Sequence, residues 1–208
     1  MQIKQEKFGA LEYCLMLPDD FDEKKTYPTV FFTHGAGSRG SDLSLLAHHV
    51  ILEKMRPVAP DTVIWAPQCA VDTWFDVFEN LISLAEYAFG QPYTDPRRFY
   101  GVGVSMGGYA MVQLMQSRPH LFAAGLICCG GGMYWNAERL KDIPLRLFHG
   151  ARDTIVYPEE SRRLADKIAE SGGKVTLTVY PDCDHDCWNK TFDDTENTKW
   201  LLTQEKQK

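Results

Sequence analysis

The residues best suited to chemistry lie in Arg98-Phe99-Tyr100-Gly101-Val102-Gly103-Val104-Ser105-Met106-Gly107-Gly108-Tyr109, where an apolar run leads into Gly-x-Ser-x-Gly and then a helical pattern. A serine hydroxyl attacks a carbonyl only if a base reaches its proton and nothing screens its approach. A nucleophilic Ser105 must therefore project from a sharp strand-to-helix turn. Gly103 and Gly107 suit that turn, because a side chain at either position would collide with backbone across the bend. The helix running from Met106 to about Ser117 would offer its N-terminal N–H groups and the positive end of its dipole to an oxyanion. An inert glycine-rich turn is the alternative reading.

Asp153 and then His185 follow Ser105 along the chain. In those roles His185 accepts the Ser105 proton and later returns it to the leaving group, while Asp153 holds the other ring nitrogen and stabilises the imidazolium. His34 and His149 also end strand-like segments and compete as bases, although each sits just before a glycine in a turn. Asp184 and Asp186 compete as acids, but a sequence neighbour rarely orients an imidazole edge-on. The oxyanion needs two donors. One is the N–H of Met106, and the other comes from His34-Gly35-Ala36-Gly37, with Ala36 the expected residue. His34, Gly35, Gln68, Trp74 and Trp188 are candidate substrate contacts; Trp74, Trp135 and Trp188 either wall an acyl or aromatic pocket or cap the core. Cys183-Asp184-His185-Asp186-Cys187 has metal-ligand residue types, yet no second Cys/His pair stands near it to complete four ligands. No metal and no cofactor is expected.

These residues need a frame that brings them together. Met1 to Leu17 reads as an opening antiparallel hairpin. Thr29–Thr33, Thr62–Pro67, the run before Ser105, Ala123–Cys129 and Leu145–His149 are continuously apolar, as strands covered on both faces are. Val175–Tyr180 alternates like a strand near a sheet edge. Helical patterns lie between them: one capped by Ser41-Asp42 and carrying Leu43, Leu46, Val50 and Leu52, then Trp74–Phe89, Met106–Ser117, Pro158–Glu170 and Asn189–Leu202. Such alternation predicts a parallel sheet with right-handed crossovers. The loops after Thr33, Pro67, Val104, Cys129, His149 and Tyr180 carry every polar feature named above. Chemistry in such sheets gathers at those strand ends.

The 208 residues suit one domain, expected to span 1–208. No apolar run approaches the ~18 residues of a membrane span, and the polar-apolar start is unlike a secretion signal, so a cytoplasmic location is expected. A net charge of −6 without a Lys/Arg cluster argues against nucleic acid or an anionic membrane as partner. A small molecule or a neutral polymer fits better. The six cysteines are too irregularly spaced for a disulfide framework and read mostly as buried thiols.

Six ordered blocks carry a family resemblance: His34-Gly35-Ala36-Gly37-Ser38-Arg39-Gly40-Ser41-Asp42, Ala66-Pro67-Gln68-Cys69, Ser105-Met106-Gly107-Gly108-Tyr109, Cys129-Gly130-Gly131-Gly132, His149-Gly150-Ala151-Arg152-Asp153 and His185-Asp186-Cys187-Trp188. The chain resembles compact esterases of the α/β-hydrolase superfamily, close to the phospholipase/carboxylesterase and dienelactone-hydrolase groups, which include proteins described as predicted peptidases. The resemblance spans residues 28–202. It implies an α/β-hydrolase fold, a mostly parallel twisted sheet of about eight strands with helices on both faces and no large lid. It also implies a metal-independent serine carboxylesterase. Small or aromatic acyl esters, including ester-decorated saccharides, are the expected substrates; a peptidase or amidase, or a catalytically silent binding protein of this fold, is the alternative. The oligomeric state stays open, a homodimer included. One departure is Pro181-Asp182-Cys183-Asp184, where related proteins usually have a glycine-rich loop; carboxylates there would disfavour anionic substrates.

Overall fold

The computed structural model describes residues 1–206. Eight strands form one sheet: β1 (Gln2–Phe8), β2 (Leu11–Leu17), β3 (Tyr27–Thr33), β4 (Val63–Gln68), β5 (Thr94–Val104), β6 (Ala124–Cys128), β7 (Leu145–Gly150) and β8 (Val175–Tyr180). Their spatial order is β1-β2-β4-β3-β5-β6-β7-β8. The first two pairings, β1 with β2 and β2 with β4, are antiparallel, and the rest are parallel. The hairpin closes on a two-residue turn whose Gly9 has φ +57°, a conformation that glycine adopts without a Cβ penalty.

Neighbouring side chains on a central strand point to opposite faces, so β3 serves two cores at once. Phe31 joins Trp65 and Phe99 in the cluster packed against α3 (Phe78–Phe89), α4 (Met106–Ser117) and α5 (Glu159–Glu170). Val30 and Phe32 join Tyr100 and Val102 on the other face, against α1 (Ser44–Ala47), α2 (Val50–Met55), α6 (Trp188–Asp193) and α7 (Thr195–Thr203). All of these strand residues are buried. Each large apolar side chain removed from water contributes roughly 1.5–3 kcal/mol. The alternation expected of β8 is present, with Thr176 and Thr178 exposed between half-buried Val175, Leu177 and Val179.

Three helical stretches differ from the sequence expectation. The first splits into α1 and α2 because His49 takes an extended backbone, with ψ 126°, and its Nδ1 accepts the Ile51 N–H at 3.3 Å. The last splits at Asp194, whose carboxylate caps α7 by accepting the Glu196 N–H at 3.1 Å. In both, a side chain competes for backbone donors that a continuous helix would need. The stretch from Trp74 opens as a 3-10 turn, Trp74–Val77, held by a Thr73/Asp76 capping box, and only then becomes α3. Between β6 and β7 the chain forms only the turn Tyr134–Leu140.

Candidate active site

β5 runs directly into α4 at Ser105, whose φ of 54° and ψ of −123° lie where non-glycine residues rarely sit. Such a backbone costs on the order of 1–3 kcal/mol and persists only where its surroundings hold it. The Ser105 N–H donates to Cys128 O at 2.9 Å, and Ser105 O accepts the Tyr109 N–H at 3.2 Å. The glycines allow the close approach. A Cβ at Gly103 would stand 2.6 Å from Gly107 O, and one at Gly107 would run into the carbonyls of Thr33 and His34. Thr33 Oγ1 also donates to Gly107 O at 2.7 Å, fixing the start of α4 to the end of β3. Gly107→Ala is therefore expected to destabilise by at least the ~1–3 kcal/mol of core overpacking, read as a lowered Tm. An unchanged Tm would show that the β3–α4 contact yields easily.

The base arrives from the loop after β8. Ala151 N donates to Tyr180 O at 2.8 Å and Arg152 N to Cys183 O at 3.0 Å, which ties the acid loop to the base loop. Gly150 leaves no room for a side chain beneath the carbonyls of Cys183 and Asp184. His185 Nε2 then stands 2.8 Å from Ser105 Oγ, and His185 Nδ1 stands 2.7 Å from Asp153 Oδ2. The Asp153 carboxylate is 3% exposed, and its Oδ1 accepts the N–H groups of Ile155 and Val156, each at 2.9 Å. Burial alone would raise the Asp153 pKa; the hydrogen bonds from His185 and from the Val156 and Ile155 backbone outweigh it, and the net shift is downward. An ionised Asp153 only accepts, so His185 carries its proton on Nδ1 and leaves Nε2 free to take the hydroxyl proton. Trp188 packs edge-on against His185 with ring centroids 5.6 Å apart.

Ala36 and Met106 each open a helical turn, Ala36–Ser38 and α4 respectively, so neither N–H has a partner within its own helix. Gly35 lies against the nucleophile, where a Cβ would sit 3.4 Å from Ser105 Cβ. Three expected substrate contacts are corrected. His34 is buried; its Nδ1–H donates to Gly35 O at 2.7 Å and its Nε2 accepts the Cys69 N–H at 2.9 Å. Burial lowers its pKa to about 4 and keeps it neutral. Trp74 is buried too, and its Nε1–H donates to His34 O at 3.0 Å. Gln68, likewise buried, donates from Nε2 to Ser38 O and Asp42 O, both at 3.0 Å. All three side chains are spent on shaping the Gly35–Asp42 loop and offer no surface to a ligand.

Open apolar surface lies elsewhere. A cleft of about 820 Å³ is lined by Phe75 and Phe78 on one side chain group, by Met133, Tyr134 and Trp135 of the loop after β6, and by Tyr109 and Gln113 of α4. It begins one helical turn from Ser105, at Tyr109. Asp76, Glu79 and Glu160 supply its charged groups, and no Lys or Arg lines it among the described residues. Trp135 is 71% exposed and Phe75 52%. Phe75, inside the helical pattern that starts at Trp74, lies in the 3-10 turn and is exposed there. The adjoining Gly130-Gly131-Gly132 run was the sequence signal for an open loop at Trp135.

Fold and site together are those of the α/β-hydrolase fold, with a serine, a histidine and an aspartate in one hydrogen-bonded line at its strand ends. The prolyl oligopeptidase family model matches residues 65–133, which hold the end of β4, α3, β5 and the Ser105 turn. A crystallised thermostable esterase superposes with a TM-score of 0.85 and 31% identity over 98% of this chain and 63% of that one. Est1E from Butyrivibrio proteoclasticus has the same fold, with a TM-score of 0.72 and 14% identity over 96% of this chain and 97% of that one. Dipeptidyl-peptidase 5 of Porphyromonas gingivalis is 20% identical over 85% of this chain, which spans 33% of that protein's length. The proteins it is similar to thus include both esterases and a peptidase. No helix of the described residues is long and apolar enough to cross a membrane.

Proposed function

We propose that the chain hydrolyses carboxylic esters with small or aromatic acyl groups through an acyl-enzyme on Ser105. The continuous hydrogen-bond line Ser105–His185–Asp153 carries this reading. Ser105 Oγ adds to the ester carbonyl as its proton passes to His185 Nε2, and the carbonyl oxygen becomes an oxyanion facing the N–H groups of Ala36 and Met106. Collapse expels the alcohol, which takes the proton back from His185. Water, deprotonated by the same nitrogen, then adds to the acyl-serine and releases the acid. Turnover of 4-nitrophenyl acetate and butyrate tests the assignment, and folded protein that hydrolyses neither would refute it. The same reading carries a small ester or an ester-decorated saccharide as partner, no nucleic-acid or membrane surface, and a cytoplasmic location.

The esterase relative at 31% identity supports ester over peptide bonds. A peptidase is the second reading, favoured by the prolyl oligopeptidase match across the nucleophile turn. Peptide anilides cleaved as fast as esters would select it.

The aromatic part of the reading leans on the cleft. Aromatic walls suit a flat acyl group, and carboxylates without cations suit an uncharged one. Trp135→Ala is expected to lower kcat/KM for a methyl cinnamate-type ester about tenfold, equivalent to ~1.4 kcal/mol, and to leave acetyl esters within about twofold. An unchanged cinnamoyl-to-acetyl ratio would remove the cleft from the substrate path.

A further inference from the structure

A second histidine touches the acid of the triad. His149 ends β7, four residues before Asp153, and is fully buried. Its Nδ1 lies 2.7 Å from Ser161 Oγ on α5. Its Nε2 lies 2.9 Å from Val156 O and 3.2 Å from Asp153 Oδ2, the same oxygen that His185 Nδ1 reaches. Ser161 Oγ is also 2.7 Å from Gly130 O.

Counting hydrogens fixes what the ring must do. A carbonyl oxygen and an ionised carboxylate have no proton to give, so Nε2 carries one. Ser161 has a single hydroxyl proton, to be placed on Gly130 O or on His149 Nδ1. The first choice makes the ring doubly protonated and the second leaves it neutral. Both leave Nε2–H as the donor to Val156 O, with Asp153 Oδ2 close by.

We propose that His149 is a positioning residue, whose Nε2–H clamps the Val156 carbonyl beside Asp153 and so holds the loop that keeps Oδ2 aimed at His185. The clamp closes on itself. Val156 gives its N–H to Asp153 Oδ1 and its carbonyl accepts from His149, so the Asp153–Val156 loop is held on both sides of one residue. Asp153 then has three hydrogen-bond donors, the N–H groups of Ile155 and Val156 on Oδ1 and His185 on Oδ2, with His149 Nε2 3.2 Å from Oδ2 as a close neighbour. Without His149, a part-buried carbonyl loses its donor and the carboxylate can turn. A sub-ångström drift of Oδ2 tilts His185 away from Ser105 Oγ.

This role presupposes the hydrolytic reading above for its kinetic test, but its protonation test does not. His149→Gln puts an amide N–H where Nε2–H stood, whereas His149→Leu fills the space with no donor. In variants checked for folding by Tm, His149→Leu should lose about 10–100-fold in kcat with KM nearly unchanged, and His149→Gln should stay within about fivefold of wild type. A His149→Leu enzyme with wild-type kcat would overturn the proposal. So would a Gln variant as slow as the Leu variant, which would indicate packing alone.

If the Leu variant does not fold, imidazole ¹⁵N NMR of the wild-type protein decides. A proton-bearing His149 Nε2 coupled to its hydrogen supports the clamp, and a bare Nε2 refutes it. Absence of ester turnover in wild-type protein would sink the parent reading and leave the NMR result standing.

Discussion

Ser105→Ala should abolish ester turnover, with kcat for 4-nitrophenyl acetate down about 10⁴-fold or more, while the protein stays folded. Removing Oγ takes away the atom that forms the acyl bond, and nothing nearby replaces it. A neighbouring thiol, Cys129 Sγ, stands within 4.8 Å of a ring nitrogen of His185 and a carboxylate oxygen of Asp153 but is itself fully buried, and burial pushes its pKa far up. Water attacking directly, with His185 as base, accounts for the residue of activity. Stability separates this loss from unfolding. The positive φ at Ser105 is strained for any residue with a Cβ, so Ser105→Ala should keep the wild-type Tm, and Ser105→Gly should match or exceed it. Wild-type turnover by Ser105→Ala would refute the nucleophile assignment outright. The companion measurement is covalent labelling by a fluorophosphonate, expected in wild type and absent in both variants.

Much of this architecture was readable because two different signals agreed. Continuous apolar runs marked β3, β5 and β6 as covered strands, and glycine spacing marked the tight turn at Ser105; both reflect backbone sterics that act locally. The histidines were harder. His34 and His149 sit at strand ends and each precedes a glycine, which favours His185 of the loop after β8 as the base without saying what the other two do. Their difference lies in partners that only the folded chain supplies: Cys69 N–H for His34, Ser161 and Val156 for His149, and Ser105 for His185 alone. Trp74 and Gln68 read as substrate contacts but are buried behind the Gly35–Asp42 loop, since residue type does not tell a ligand wall from the buttress behind it. The breaks at His49 and Asp194 escaped notice for a related reason. A side-chain cap within an otherwise helical run changes the apolar spacing very little.

Asp153→Asn is expected to lower kcat about 10⁴-fold with KM little changed, although it alters a single atom. The backbone decides how the new amide must sit. The N–H groups of Ile155 and Val156 both point at Oδ1, so the amide oxygen has to take that position and the NH₂ takes the place of Oδ2. There it donates to His185 Nδ1, which then holds a lone pair, and the ring proton moves to Nε2 facing Ser105 Oγ. A base already carrying a proton on its working nitrogen cannot accept another. The imidazolium that would form in the transition state also loses its counter-charge. His149 makes the misfit worse, because its Nε2–H now meets a second donor across 3.2 Å. Asp153→Glu keeps the charge but lengthens the arm, and should recover part of the loss where Asn recovers none. Asp153→Asn within tenfold of wild type would mean that His185 draws its orientation from elsewhere, and the acid's role would pass to a different carboxylate.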